Sequence, residues 1–153
     1  DDLIMAKRIA DFEDQYQADA VFIDFGYGTG LKSIGDGWGR TWQLVPFGGA
    51  SADPQMLNKR GEMFNACKTW LKLGGALDDQ ETADDLSAAE YKVRVDGKIV
   101  MEPKEDIKER LGRSPGKGDA LLLTFAYPVT KRSDFPVAGG KQPNVISEYD
   151  PWA

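Results

Sequence analysis

The stretch VFIDFGYGTG, residues 21–30, raises the question around which the chain is organised. Val21, Phe22 and Ile23 fit a buried strand, and Asp24 closes that strand with an acid. Gly26, Gly28 and Gly30 then follow at every second position, which reads as a loop almost without side chains. In open α/β folds the carboxyl ends of parallel strands are where sites collect. Asp24 is therefore a candidate catalytic acid, with glycines that let a bulky substrate approach the backbone. A tight strand-to-helix turn that merely needs glycine explains the same pattern without chemistry. A nucleotide cradle fits less well. The spacing matches neither G-x-x-x-x-G-K-[ST] nor G-x-G-x-x-G, and an acid beside bound phosphates would repel them unless a cation lay between.

Outward from this stretch, helical and strand patterns alternate. Leu3, Ile4, Ala6, Ile9, Ala10 and Phe12 recur at helical spacing and predict a helix over 3–16, ahead of a strand over 20–24. After the glycines a short helix is expected over 31–35, and RTWQLVPF, residues 40–47, reads as a second strand. A long helix is expected over 55–73, with Met56, Leu57, Met63, Phe64, Cys67, Trp70 and Leu71 on its apolar face and LGG as its stop. LDDQETADDLSAAE, residues 77–90, carries six acids and no base and reads as a solvated turn or short helix. YKVRVDGKIVM, residues 91–101, alternates around Asp96-Gly97, a strong short hairpin signal. A short helix over 104–111 follows, then a helix from near Pro115 that ends before Pro128. From 130 to 153 the text is polar and rich in Pro and Gly, and reads as a tail. Alternating elements of this kind indicate an α/β layer fold.

Composition narrows the chemistry. The 153 residues suit one domain and carry a net charge of −6. The apolar run around 120–129 is too short to span a bilayer, and no signal-peptide pattern is visible. One cysteine, Cys67, excludes an internal disulfide and fits a reducing compartment such as the cytoplasm. There is no histidine, which removes Ser-His and Cys-His catalysis and most zinc sites. Catalysis must then rest on carboxylates, lysines or a hard metal ion. The chain opens on its first helix without an initiator methionine, which reads as a fragment.

Asp119 is the second acid of interest, because the helix that follows it, residues 120–126, is almost wholly apolar. Helix-dipole stabilisation near an N-terminus accounts for it without function. Taken with Asp24, a sharper option is two carboxylates sharing divalent magnesium or manganese, both of which take oxygen ligands. Lys104, Lys108, Arg113 and Lys117 form a local excess of base that could meet a phosphate backbone, as could Lys59 and Arg60 where the long helix opens. The bland alternative for the helix residues is a solvated face with i, i+4 ion pairs.

The ordered set VFIDFGYGTG, WQLVPFGGAS, LNKRGEMFNACKTWLKLGG, DGKIVMEPKEDIKERLGRSP and GDALLLTFAYP resembles the C-terminal nuclease domain of the large terminase subunit of tailed bacteriophages. The family's late motif is similar to Ser-Pro-Asp/Asn-x-x-Asp-Ala; here it stands as Ser114, Pro115, Gly116, Lys117, Gly118, Asp119, Ala120. The resemblance implies an RNase H-like fold over residues 1–129, a mixed central sheet flanked by helices, lacking its N-terminal strands in this chain. It implies a two-metal-ion endonuclease using Mg2+ or Mn2+ that cuts concatemeric viral DNA in the host bacterial cytoplasm. Asp24 matches the second family acid and Asp119 the last; the first has no counterpart, and Gly116 replaces an acid or amide. Implied partners are double-stranded DNA, a terminase ATPase domain, the small terminase subunit and the procapsid portal. A non-catalytic DNA- or portal-docking module, from a truncated or degenerate prophage nuclease, is the alternative.

Overall fold

The computed structural model describes residues 1–131. The tail expected over 130–153, apart from its first two residues, lies outside the described residues. The described residues form two compact units: residues 1–46 with 127–131, and residues 47–126.

The first unit is a helix followed by a β-α-β crossover. Helix α1 (Asp2–Gln15) starts at Asp1, whose carboxylate accepts the Leu3 N–H, and buries Ala6, Ala10 and Glu13 along one stripe. Strand β1 (Phe22–Asp24) pairs in parallel with β2 (Gln43–Val45), with Phe22 opposite Gln43 and Asp24 opposite Val45. Pro46, which has no N–H, follows directly on β2. Ala6, Ala10, Ile23, Leu31 and Trp42 make the core, with Ile9, Val21, Ile34 and Leu44 packed against it.

Between the strands there is no glycine loop. Helix α2 (Phe25–Gly37) begins immediately after Asp24, so the expected loop and the short helix over 31–35 are one continuous helix. Two physical reasons decide this. The Asp24 carboxylate caps the helix by accepting the Gly26 N–H at 3.0 Å. Glycine also lets the helix lie close on the strands: a Cβ at Gly28 would stand 2.4 Å from Ile23 Cγ2, and one at Gly35 2.4 Å from the Trp42 ring. Interior glycine costs a helix about 1 kcal/mol relative to alanine, and close packing offsets that cost here. Below Trp42, the indole N–H donates to buried Glu13 at 2.8 Å, and Arg40 bridges Glu13 and Asp14.

The second unit is mostly helical. Helix α3 (Lys59–Lys72) starts at the Asn58 cap, four residues later than the apolar pattern predicts. Met56 is instead drawn into a parallel bridge with Ile99, with Ile99 N–H donating to Gln55 O at 2.8 Å and Leu57 N–H to Ile99 O at 2.9 Å. The acidic stretch contains α4 (Gln80–Ser87), capped by Asp79. β3 (Tyr91–Val93) and β4 (Ile99–Met101) form the expected antiparallel hairpin. Gly97 turns at φ 81°, and Asp96 Oδ1 accepts the Lys98 N–H. Helices α5 (Lys104–Leu111) and α6 (Gly116–Leu123) follow where the sequence predicts them. Met63, Cys67, Ile107 and Leu122 are buried in this unit. Among the described residues the expected mixed central sheet is two separate two-stranded sheets, one parallel and one antiparallel.

Candidate functional site

Asp24 ends its parallel strand in the first unit, half-buried, with one carboxylate oxygen engaged in capping α2. Its position at a strand's carboxyl end is the one expected from sequence. Asp119 belongs to the second unit and is 6 % exposed. It sits in the first turn of α6, on the inward side with Gly118 and Leu122, and its N–H donates to Pro115 O at 3.0 Å.

Two cations converge on the Asp119 carboxylate. Arg60 Nη1 donates to Oδ1 at 3.1 Å. Lys104 Nζ stands 2.7 Å from the buried Oδ2, the distance of a charge-assisted contact. Arg60 is itself 6 % exposed, with its guanidinium carbon 5.6 Å from the Phe47 ring centroid and 5.2 Å from that of Phe64. Aromatic faces attract such a cation. Its Nε and Nη2 are buried without hydrogen-bond partners.

The remaining basic candidates are largely engaged within the unit. Lys59 is buried and paired with Glu62 at 2.7 Å. Arg113 pairs with Asp85 and lies 3.7 Å from Glu81. Lys117 reaches Asp79 at 3.1 Å and Glu81 at 2.8 Å. Lys108 is exposed on α5. The Thr82 hydroxyl and then the Lys117 ammonium hold the Asp79 carboxyl down to about 2, and Glu81 and Asp79 in turn push the Lys117 ammonium above its ordinary value.

Sequence reading missed the acids that receive these cations. The run over 77–90 was expected to be solvated, but Asp85 is 2 % exposed. Its spacing gave one usable signal: Asp79, Glu81 and Asp85 precede Arg113 and Lys117 with no base of their own nearby in the chain.

Divalent-metal chemistry asks for hard oxygen donors. The Asp119 carboxylate is a donor of that kind, and in this structure Arg60 and Lys104 occupy its two oxygens. Among the described residues no group of three or more acidic or cysteine side chains gathers as a cation site.

No family model matches the sequence, and no curated protein matches it. Solved structures do. The nuclease domain of the large terminase subunit gp2 of bacterial virus Sf6 superposes with a TM-score of 0.67 at 20% identity, over 80% of this chain and 71% of that one. The fold is that of a phage terminase nuclease domain. A lysine-to-alanine variant of the same Sf6 domain, solved with manganese, matches with a TM-score of 0.67 at 20% identity, over 80% of this chain and 72% of that one. Its form with calcium matches with a TM-score of 0.66 at 20% identity, over 80% and 71%. All three neighbours are nuclease domains, and two of them were solved with a divalent ion, manganese in one and calcium in the other. Among the described residues no helix is long and apolar enough to cross a membrane.

Proposed function

We propose that this chain is a metal-dependent DNA endonuclease domain of a phage terminase large subunit, of RNase H-like fold, acting in genome packaging. The observation that supports it best is Asp119: a buried carboxylate in the first turn of α6, its two oxygens met by Arg60 and Lys104, in the fold of nuclease domains solved with manganese and calcium. Asp24 and Asp119 are the proposed ligands of Mg2+ or Mn2+. Such an ion, when bound, supplies a nucleophilic water at neutral pH and stabilises charge on the phosphate. The chain's own groups do the rest. Arg60 fixes the carboxylate that binds. Lys104 balances its charge. Lys108, Arg113 and Lys117 offer contacts to the DNA backbone, which position a duplex without reading its sequence. Lys59 and Arg60 are sealed inside the unit, so their support for DNA binding is indirect. Partners of packaging, namely an ATPase domain, a small subunit and a portal, belong to the same proposal.

Manganese titration of the chain, followed by thermal stability, tests the reading. A ligand at a hundred times its Kd stabilises the folded state by about 2.7 kcal/mol. Asp24→Asn and Asp119→Asn should each reduce the stabilisation and the nicking of supercoiled DNA. Unchanged responses in both variants would remove the metal role. A second reading, a docking module that binds DNA without cutting it, is favoured by the absence of an acidic triad among the described residues. Duplex binding that is indifferent to manganese, with no nicking, would select it.

A further inference from the structure

Helix α6 begins without a cap of its own. Pro115 occupies the cap position and provides no side-chain acceptor. The N–H groups of Lys117 and Gly118 nevertheless both donate to Asp85 Oδ2, at 3.1 and 3.0 Å. The other Asp85 oxygen accepts from Arg113. Asp85 lies in the last turn of α4, where an anion faces the negative end of its own helix dipole. Local preference opposes that placement. The N-terminus of α6, with its unpaired N–H groups and positive dipole end, supplies the compensation. The approach is close: a Cβ at Gly118 would stand 2.7 Å from Asp85 Cβ. The residue after Gly118 is Asp119.

We propose that Asp85 is a positioning residue for Asp119, a cap lent by α4 that fixes the first turn of α6 and with it the direction of the Asp119 carboxylate. Its bearing on catalysis rests on the reading that Asp119 ligates metal. Its bearing on geometry does not. Nothing in the reaction touches Asp85 itself; it acts through two backbone amides.

The test compares Asp85→Ala and Asp85→Asn in the whole chain. It reads the Asp119 side-chain carboxyl resonance by 13C NMR, amide exchange at Lys117 and Gly118, and the Mn2+ dissociation constant by EPR. Asp85→Ala should shift the Asp119 resonance, speed exchange of both amides and weaken Mn2+ binding about tenfold or more, as loss of a group that orients a ligand does. Asp85→Asn keeps an oxygen for both amides but turns its NH2 on the Arg113 guanidinium, so its Asp119 resonance, amide protection and Mn2+ constant should lie between those of the parent and of Asp85→Ala. A folded Asp85→Ala protein with an unmoved Asp119 resonance overturns the proposal. So does an Asp85→Asn protein that loses protection and metal as fully as alanine. If alanine prevents folding, Asp85→Asn decides alone: partly lost amide protection with a displaced Asp119 resonance supports the cap, and lost protection with an unmoved resonance overturns it. Asp119→Asn separates the two readings. If it binds Mn2+ like the parent, the metal role of Asp119 fails, while the resonance in Asp85→Ala still decides the positioning claim.

Discussion

A charged group sealed between two phenyl rings makes its counter-ion hard to remove. Arg60 has that environment, and Asp119 is its hydrogen-bonded acid. Breaking a buried pair by deleting one partner costs about 3–5 kcal/mol. Asp119→Ala should therefore lower urea-unfolding stability by roughly that amount, and a double variant Asp119→Leu with Arg60→Met should recover most of it. A cost of Asp119→Ala well under about 1 kcal/mol would show that the pair is not desolvated as its burial implies. Asp119→Asn is gentler, since an amide oxygen still accepts from Arg60. Asp79 gives a residue-scale pH dependence. Its folded pKa, about 2, lies below its ordinary 3.8. Its contribution is then present above about pH 4 and lost as pH falls towards 2. The stability difference between the parent and Asp79→Asn should be visible near pH 6, shrink as pH falls below about 4 and vanish only below the folded pKa of about 2 in a denaturant series.

Elements carry the next set of consequences. Helix α2 contains glycines of opposite kinds. Gly35 faces the Trp42 ring, whereas a Cβ added at Gly37 would meet no atom within 4 Å, and Gly37 has no positive φ. Gly35→Ala should destabilise by about 1–3 kcal/mol through overpacking. Gly37→Ala should stabilise by about 0.4–1 kcal/mol by restricting the unfolded chain. Equal melting shifts for the two would contradict the packing described for the first unit. In the second unit, α4 and its cap present Glu81 and Asp79 to Lys117. Those acids compete with phosphate for the same ammonium. Glu81→Gln should raise duplex affinity measured by anisotropy, and the gain should shrink in Lys117→Ala.

At the scale of the whole chain, a net charge of −6 opposes DNA, so binding depends on where the cations are exposed. Each phosphate contact contributes about 0.9 to the slope of log K against log salt. Lys108→Ala and Lys117→Ala should each lower that slope by about one contact if both meet DNA, while Lys59→Ala should leave it unchanged because Lys59 is buried on Glu62.

Element order was legible in the chain alone, because period-3.6 and period-2 apolar patterns are local. So was the hairpin, because Asp96-Gly97 is a local turn signal. The sequence picked Asp24 and Asp119, because an acid at the end of an apolar strand or the start of an apolar helix conflicts with its neighbours. Lack of histidine and of paired cysteines also excluded whole classes of chemistry without any coordinates. Three things were decided only in the tertiary structure. The glycines of 26–30 became helix, since the Asp24 cap and close contact with Ile23 and Leu44 outweighed glycine's intrinsic cost. Arg60, Arg113 and Lys117, which by sequence could face solvent or phosphate, found acids up to 59 residues away. Asp85, one acid among six in a stretch that reads as solvated, became a buried cap because α6 begins at a proline and presents unpaired N–H groups. Partnerships across such separations depend on how helices pack, and packing is not written in any window of the chain.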